Sequence, residues 1–320
     1  MSSSATRRVR IARKTVEALD ICSFDLVDPE GAALPAFTAG AHIDVQVAPG
    51  LLRQYSLCND PGETHRYVIG VLRDANSRGG SVAMHALEAG QTLAISDPRN
   101  HFALAEQAPH SLLLAGGIGI TPLLCMAQRL SALGQSFALH YCARAPERAA
   151  FVERITGSAA WPAHVHYDDG PAAQRLDVRA VLASQPEGTH LYVCGPAGFM
   201  DAMLVAAHDA AWPEERLHRE YFGAAPIDTS SDGSFEVQIA STGALIRIEP
   251  HCSVVEALAA AGIEVPTSCE QGVCGTCITR VIAGTPEHRD MYLTPQEQQR
   301  GDQFTPCCSR AKSARLVLDL

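Results

Sequence analysis

The most constraining stretch of this chain is Thr267-Ser268-Cys269-Glu270-Gln271-Gly272-Val273-Cys274-Gly275-Thr276-Cys277, answered by Cys307 near the C-terminus. The spacing is C-x4-C-x2-C, then 29 residues, then C. Three sulfurs this close in sequence converge only if the backbone between them curls tightly around what they hold. Gly272 and Gly275 permit the positive φ and the close backbone approach that such a curl demands. Four thiolates at this spacing suit a 2Fe–2S cluster. Amides turned inward can then donate hydrogen bonds to the sulfurs and tune the potential. Zinc is the competing occupant, since Cys274-x-x-Cys277 would serve as one pole of a zinc knuckle. The further cysteine at x4 and the two glycines fit the two-iron cluster better, so Cys269, Cys274, Cys277 and Cys307 are the expected ligands. The 29-residue gap selects Cys307 over its neighbour Cys308, which reads as a small buried hydrophobe.

A chain of 320 residues has room for two or three domains. At 47% hydrophobic it can build real cores. Its net charge of −10 argues against nucleic acid, which needs basic stripes. No apolar run approaches the length of a membrane span. The seven remaining cysteines, Cys22, Cys58, Cys125, Cys142, Cys194, Cys252 and Cys308, are scattered through apolar segments, so free thiols in a reducing cytoplasm are expected. The Arg- and Ser-rich N-terminus alternates at Arg8-Val9-Arg10-Ile11-Ala12 and reads as a first strand rather than a transit peptide.

Residues 5–100 alternate at period two and break at Gly and Pro. Ile21–Val27, Ala41–Val47, Arg53–Leu57, Tyr67–Leu72 and Thr92–Ser96 read as strands of a barrel or sandwich. Within them lies Arg53-Gln54-Tyr55-Ser56-Leu57, where Arg53 and Tyr55 share a strand face. Ser77-Arg78-Gly79-Gly80-Ser81 follows, with a helix expected over Val82–Glu88. There Arg78 brings charge, Gly79 and Gly80 bare their amides, and Ser81 is expected at the helix N-cap, an arrangement suited to a phosphate.

From Ser111 the texture changes. Leu112-Leu113-Leu114-Ala115 is a buried strand of the parallel-sheet kind. Gly116-Gly117-Ile118-Gly119-Ile120-Thr121-Pro122 follows, then an amphipathic helix to about Leu133. Strand, glycine-rich turn and helix lay a pyrophosphate on a helix N-terminus, with Thr121 expected as the cap and Pro122 in the first turn. Phe137–Cys142 is the next strand, and Arg148–Ile155 is expected to be helical. His190–Cys194 is a further buried strand ending at Gly195-Pro196, with a helix over Gly198–His208. Glu220-Tyr221-Phe222-Gly223 closes the segment, and an aromatic there suits stacking on a flavin.

Residues 224–232 read as a linker. Beyond it, Phe235–Ile239 and Leu245–Ile248 form a hairpin, Ser253 caps a helix over Val254–Ala261, and Gly262 ends it. Ile278–Ala283 and Leu316–Leu320 read as strands around the cysteine loop. The charges from Arg289 to Arg300 are expected to form a solvated surface. The expected architecture is multidomain: an antiparallel β-barrel over 1–106, an α/β parallel-sheet domain over 107–223, and an α+β plant-type ferredoxin domain over 233–320.

Taken together, Arg53-Gln54-Tyr55-Ser56-Leu57-Cys58-Asn59, Arg78-Gly79-Gly80-Ser81, Ala115-Gly116-Gly117-Ile118-Gly119-Ile120-Thr121-Pro122, Val193-Cys194-Gly195-Pro196 and the four-cysteine pattern resemble the phthalate dioxygenase reductase family, which includes the reductases of vanillate O-demethylases. The resemblance implies FMN, NADH and a 2Fe–2S cluster as cofactors. It implies that Arg53, Gln54, Tyr55 and Ser56 hold the FMN phosphate and ring, that Gly70 and Val71 meet the flavin's polar edge, and that Gly79, Gly80 and Ser81 form the phosphate loop. It places Gly116, Gly117, Gly119 and Thr121 on the dinucleotide, Cys194 and Gly195 near the nicotinamide, and Phe222 beside the isoalloxazine. Cys194, Phe222 and Ser56 are the residues it sets at the hydride-transfer centre. The implied partner is a Rieske-type oxygenase acting on an aromatic acid or ether. A reductase for a haem monooxygenase or a free ferredoxin, and a non-catalytic redox sensor, are the competing readings.

Overall fold

The structure, a computed structural model, describes residues 7–320 except 50, 76, 78, 158–160, 224–226 and 268. Arg78, Ser268 and the start of the expected linker therefore lie outside the described residues. The chain divides into two compact units, Met1–Glu220 and Tyr221–Leu320.

The first unit opens with strands β1 (Arg7–Ala18), β2 (Ile21–Val27), β3 (His42–Ala48), β4 (Leu51–Ser56) and β5 (Tyr67–Leu72), then helix α1 (Gly80–Ala86) and strand β6 (Thr92–Ile95). They form one antiparallel sheet in the order β4-β3-β6-β1-β2-β5. Its two ends meet: Leu57 bridges Ile69, and the Cys58 amide donates to the Val68 carbonyl at 2.9 Å. The sheet therefore closes as the expected barrel, filled by Val9, Ile11, Phe24, Ile43, Val45 and Ile69, all fully buried. One expectation fails here. Gly79, at φ 90°, is the N-cap of α1, and Ser81 lies inside the helix with its hydroxyl accepting from the Asp74 amide at 3.1 Å. Only glycine enters a helix cheaply from that left-handed backbone, so the helix starts earlier than Ser81 suggested.

The chain continues through β7 (Ser111–Gly116), a 3-10 turn at Gly117–Gly119, α2 (Ile120–Leu133), β8 (Phe137–Ala143), α3 (Val152–Thr156), β9 (Ala163–Tyr167), α4 (Val178–Ala183), β10 (His190–Cys194), α5 (Ala197–Asp209) and β11 (Leu217–Glu220). The strands run parallel in the order β11-β10-β7-β8-β9. Barrel and sheet share one continuous apolar core. Two details differ from expectation. Thr121 is inside α2 rather than capping it, and its hydroxyl donates to the Ile118 carbonyl at 3.0 Å. The helix expected over Arg148–Ile155 is broken, because Phe151 adopts φ 62° and buries its ring while the Ala150 amide donates to the Tyr141 hydroxyl. Burial of that ring and satisfaction of that amide outweigh helix continuity.

The second unit comprises β12 (Phe235–Ile239), β13 (Leu245–Ile248), α6 (Val254–Ala260), β14 (Thr279–Ala283), β15 (Pro286–Glu287), α7 (Pro295–Arg300), β16 (Gln303–Phe304), β17 (Arg310–Ala311) and β18 (Arg315–Leu318). Five strands form a mixed sheet in the order β13-β12-β18-β14-β16. Ser253 and Glu256 make a reciprocal capping box on α6, and Gly262 at φ 77° follows its end. The expected solvated surface from Arg289 onward is only partly so. Arg289 holds the Asp232 carboxylate at 2.6 Å with side-chain exposures of 14% and 1%, and the Asp290 side chain is fully buried. Sequence alone could not show these partners, because Asp232 is 57 residues away. Among the described residues no helix is long and apolar enough to cross a membrane.

Candidate functional site

Two constellations emerge, one in each unit. In the first unit, β4 carries Arg53, Gln54, Tyr55 and Ser56 with side chains alternating across the strand. The Arg53 side chain lies against α1, where a Cβ on Gly80 would fall 2.6 Å from it. Gly79 and Gly80 thus leave room for a guanidinium beside bared amides, a cradle that fits a phosphate. Tyr55 shares the Arg53 face, and burial pushes its phenol up. Gln54 turns the other way, its Nε2 3.2 Å from His42 Nε2, so the structure does not bring it together with Arg53 and Tyr55. The Val71 carbonyl is engaged by the His85 ring at 2.9 Å.

Ser56 is buried, and its hydroxyl donates to Glu220 Oε2 at 3.2 Å. Glu220 ends β11 directly beside Cys194, which ends β10. Burial pushes the Glu220 carboxyl up to about 8, against the lowering effect of the Ser56 hydrogen bond. The Cys194 thiol is pushed well up by burial and by Glu220, so it stays a neutral thiol rather than a thiolate.

Glycines set the spacing between these strand ends. A Cβ on Gly119 would sit 2.2 Å from the Cys194 carbonyl oxygen, and one on Gly195 would sit 3.0 Å from Gly116 Cα. Gly117 turns at φ 53°. A Cβ on Gly70 would lie 2.7 Å from Thr121 Cγ2 and 3.1 Å from the Phe151 ring. Gly70, Gly116, Gly119, Thr121, Cys194 and Gly195 therefore gather at the C-terminal ends of the parallel strands, where open α/β sheets bind ligands. Glu220 and Phe151 were not singled out from sequence. Glu220 gave no local signal, since its place is set by the pairing of β11 with β10 and by Ser56 far earlier in the chain. Phe222 is 44% exposed and belongs to the second unit.

In the second unit the thiols form two groups, Cys269 with Cys274, and Cys277 with Cys307 and Cys308. Hydrogen bonding to Cys269 lowers Cys274 and raises Cys269, while Cys307 is hydrogen-bonded to both Cys277 and Cys308, which lowers those two and raises Cys307. Among the described residues no three His, Cys, Asp or Glu side chains group closely enough for one metal ion. Two separate groups of thiols suit two irons better than one zinc. Gly272 and Gly275 take φ 73° and 71°, and their missing side chains admit the Cys308 sulfur and the Tyr292 ring respectively. Cys308 is therefore not a plain buried hydrophobe. It is half-buried, pressed on the cysteine loop and in contact with the Thr305 hydroxyl at 3.3 Å.

The 2Fe-2S iron-sulfur cluster binding domain family matches residues 237–312. The N-terminal domain family of dimethylamine monooxygenase subunit DmmA-like proteins matches residues 96–217. A vanillate O-demethylase oxidoreductase of Pseudomonas sp. (strain HR199 / DSM 7063) is 56% identical over 98% of this chain and 99% of its own. A solved phthalate dioxygenase reductase, described as a modular structure for electron transfer from pyridine nucleotides to 2Fe–2S, is 42% identical with a TM-score of 0.75, covering 99% of this chain and 98% of that one. An intact type IV self-sufficient cytochrome P450 monooxygenase is 36% identical with a TM-score of 0.86, covering 98% of this chain and 41% of that one. At these identities over nearly its whole length, the chain belongs to the phthalate dioxygenase reductase family.

Proposed function

We propose that this chain is the reductase component of a multicomponent aromatic oxygenase or O-demethylase, drawing on NADH and serving a Rieske-type partner. When bound, FMN and the 2Fe–2S cluster convert the electron pair of a hydride into single electrons for that partner. The observation that carries the reading is the meeting of Ser56, Cys194 and Glu220 where the barrel strand β4 abuts the ends of β10 and β11.

Arg53, Gly79 and Gly80 would hold the FMN phosphate, with Tyr55 on the same strand face for the ring. Gly116, Gly117, Gly119 and Thr121 would hold the dinucleotide. Gly119 keeps that loop against Cys194 because it lacks a side chain. Glu220, kept protonated by burial at neutral pH, anchors the Ser56 hydroxyl without adding a charge to the junction. The buried, uncharged Cys194 thiol presents a small soft surface there and excludes water. Cys269 with Cys274, and Cys277 with Cys307, would each hold one iron. The 11 unbridged cysteines suit the cytoplasm, where thiols stay reduced and NADH is abundant.

The vanillate relative makes a methoxylated aromatic acid the first substrate to offer the partner. A second reading, a reductase for a haem monooxygenase, draws on the likeness to the self-sufficient P450. An anaerobic NADH titration followed by absorbance and EPR tests the core. Flavin bleaching with a reduced 2Fe–2S signal is expected, and no response to NADH or NADPH would refute it. Reconstitution with a vanillate-demethylating Rieske oxygenase or with a haem domain then decides the partner: NADH-driven turnover with the haem domain alone would overturn the Rieske assignment.

A further inference from the structure

The second unit buries a carboxylate that ligates nothing in the cluster site. The Asp290 side chain is 0% exposed. Its Oδ2 accepts the Leu293 amide at 2.7 Å, and its Oδ1 accepts the Ser309 hydroxyl at 3.4 Å. A Cβ on Gly272 would come within 3.0 Å of Asp290 Cα and Cβ and 2.4 Å of the Cys308 sulfur. The Met291 amide donates to the Gly272 carbonyl at 3.0 Å. Asp290 thus touches both parts of the ligand set: the loop between Cys269 and Cys274, and, through Ser309, the turn that carries Cys307.

The neighbouring cations are directed elsewhere. Arg289 binds Asp232 and Glu287, while Arg310 binds Asp232 and the carbonyls of Cys252, Gly233 and Glu249. The group that does face Asp290 is His288, with Nδ1 3.5 Å from Oδ1, a side chain only 10% exposed, and neither ring nitrogen in a hydrogen bond. Among the described residues the carboxylate is touched by no guanidinium or ammonium and is held instead by the Leu293 amide and the Ser309 hydroxyl. Placed against a cluster that becomes more negative on reduction, it opposes that reduction through a poorly screening interior.

We propose that Asp290 is a positioning residue that orders the cysteine loop and holds the reduction potential of the cluster down. The inference rests on the 2Fe–2S reading above. It is tested in the full-length, cluster-loaded protein by EPR-monitored redox titration. Asp290→Asn keeps the shape and the acceptor for Leu293 but removes the charge. It is expected to favour the reduced cluster about tenfold, a rise of about 59 mV for a one-electron couple. The shift persists in 1 M KCl, because the charge is buried. Asp290→Glu restores most of it, and Asp302→Asn, at a side chain 58% exposed, leaves the potential unchanged. His288→Lys sets a cation against an intact Asp290 and raises the potential as well. If Asp290→Asn assembles no cluster, His288→Lys carries the test, and an unshifted potential there overturns the proposal. So does an intact Asp290→Asn cluster within twofold of wild type. A wild-type protein with no 2Fe–2S signal refutes the cluster reading itself, which is a separate outcome.

Discussion

Replacing Gly119 by alanine probes the junction of barrel and sheet with a single methyl group. The backbone does not object, since Gly119 sits at φ −62°, where any residue is comfortable. Its surroundings do. The new Cβ would lie 2.2 Å from the Cys194 oxygen, 2.4 Å from its carbonyl carbon and 2.6 Å from the Gly195 nitrogen, where ordinary contact begins at 3.4 Å. All three are main-chain atoms at the end of a buried strand, and none can rotate aside. The nucleotide loop must therefore retreat from Cys194 by about 1 Å, at an overpacking cost of about 1–3 kcal/mol. A displacement of that size costs a transfer reaction on the order of 100-fold. Stopped-flow bleaching of the flavin by NADH should slow by about that factor, while dithionite reduces flavin and cluster as in wild type. Circular dichroism and the cluster EPR signal establish that the variant is folded. A folded variant that slows less than threefold would refute close approach as the reason for this glycine.

Further outcomes follow from the same geometry. Glu220 ordinarily titrates near 4.5 and is pushed up to about 8, so between these values the folded chain keeps a proton that the unfolded chain has released, and stability falls as pH rises through that window. Glu220→Gln should flatten this slope, with a higher calorimetric melting point than wild type at pH 8.5 and a similar one at pH 5; parallel pH profiles would rule the buried acid out. Asp232→Asn removes the buried carboxylate that Arg289 and Arg310 share, beside side chains only 14% and 7% exposed, and should cost about 3 kcal/mol in urea unfolding of the second unit. A loss under about 1 kcal/mol would show that these charges are solvated. Cys307→Ser should abolish the 2Fe–2S EPR signal and Cys308→Ser should retain it, the reverse pattern reassigning the fourth ligand.

What was legible in the sequence is what depends on near neighbours. The cysteine loop encodes its own curl, and the glycine-rich turn after β7 follows from the chemistry of a strand feeding a helix. The barrel strands Ile21–Val27 and Tyr67–Leu72 have the bounds read from the sequence, and both are buried along nearly their whole length. What escaped depends on partners far along the chain. Glu220 matters because β11 pairs with β10 and because Ser56, 164 residues earlier, reaches it. Asp290 looked like one more charge in a polar run until the fold closed Ser309 and Gly272 over it. Gln54 was grouped with its neighbours by motif, yet a strand's period of two turns it away from them. Phe151 shows local propensity overruled, with a broken helix tolerated for a buried ring.

The strand order of the second unit has a consequence for its biosynthesis. Strand β18 lies between β12 and β14, pairing Glu236 with Arg315 on one side and Val281 with Leu318 on the other. Strand β18 is thus the one that joins the others, and the sheet cannot close until it has been synthesised. The three loop cysteines emerge before Cys307, and at about 5–20 residues per second a gap of 29 residues lasts roughly 1.5–6 s. For those seconds the loop is an unpaired, metal-hungry thiol cluster on an unfinished domain. A sheet able to hold the cluster therefore waits on β18, and a truncation that removed only β18 would be expected to leave every iron ligand in the sequence and no domain to hold them.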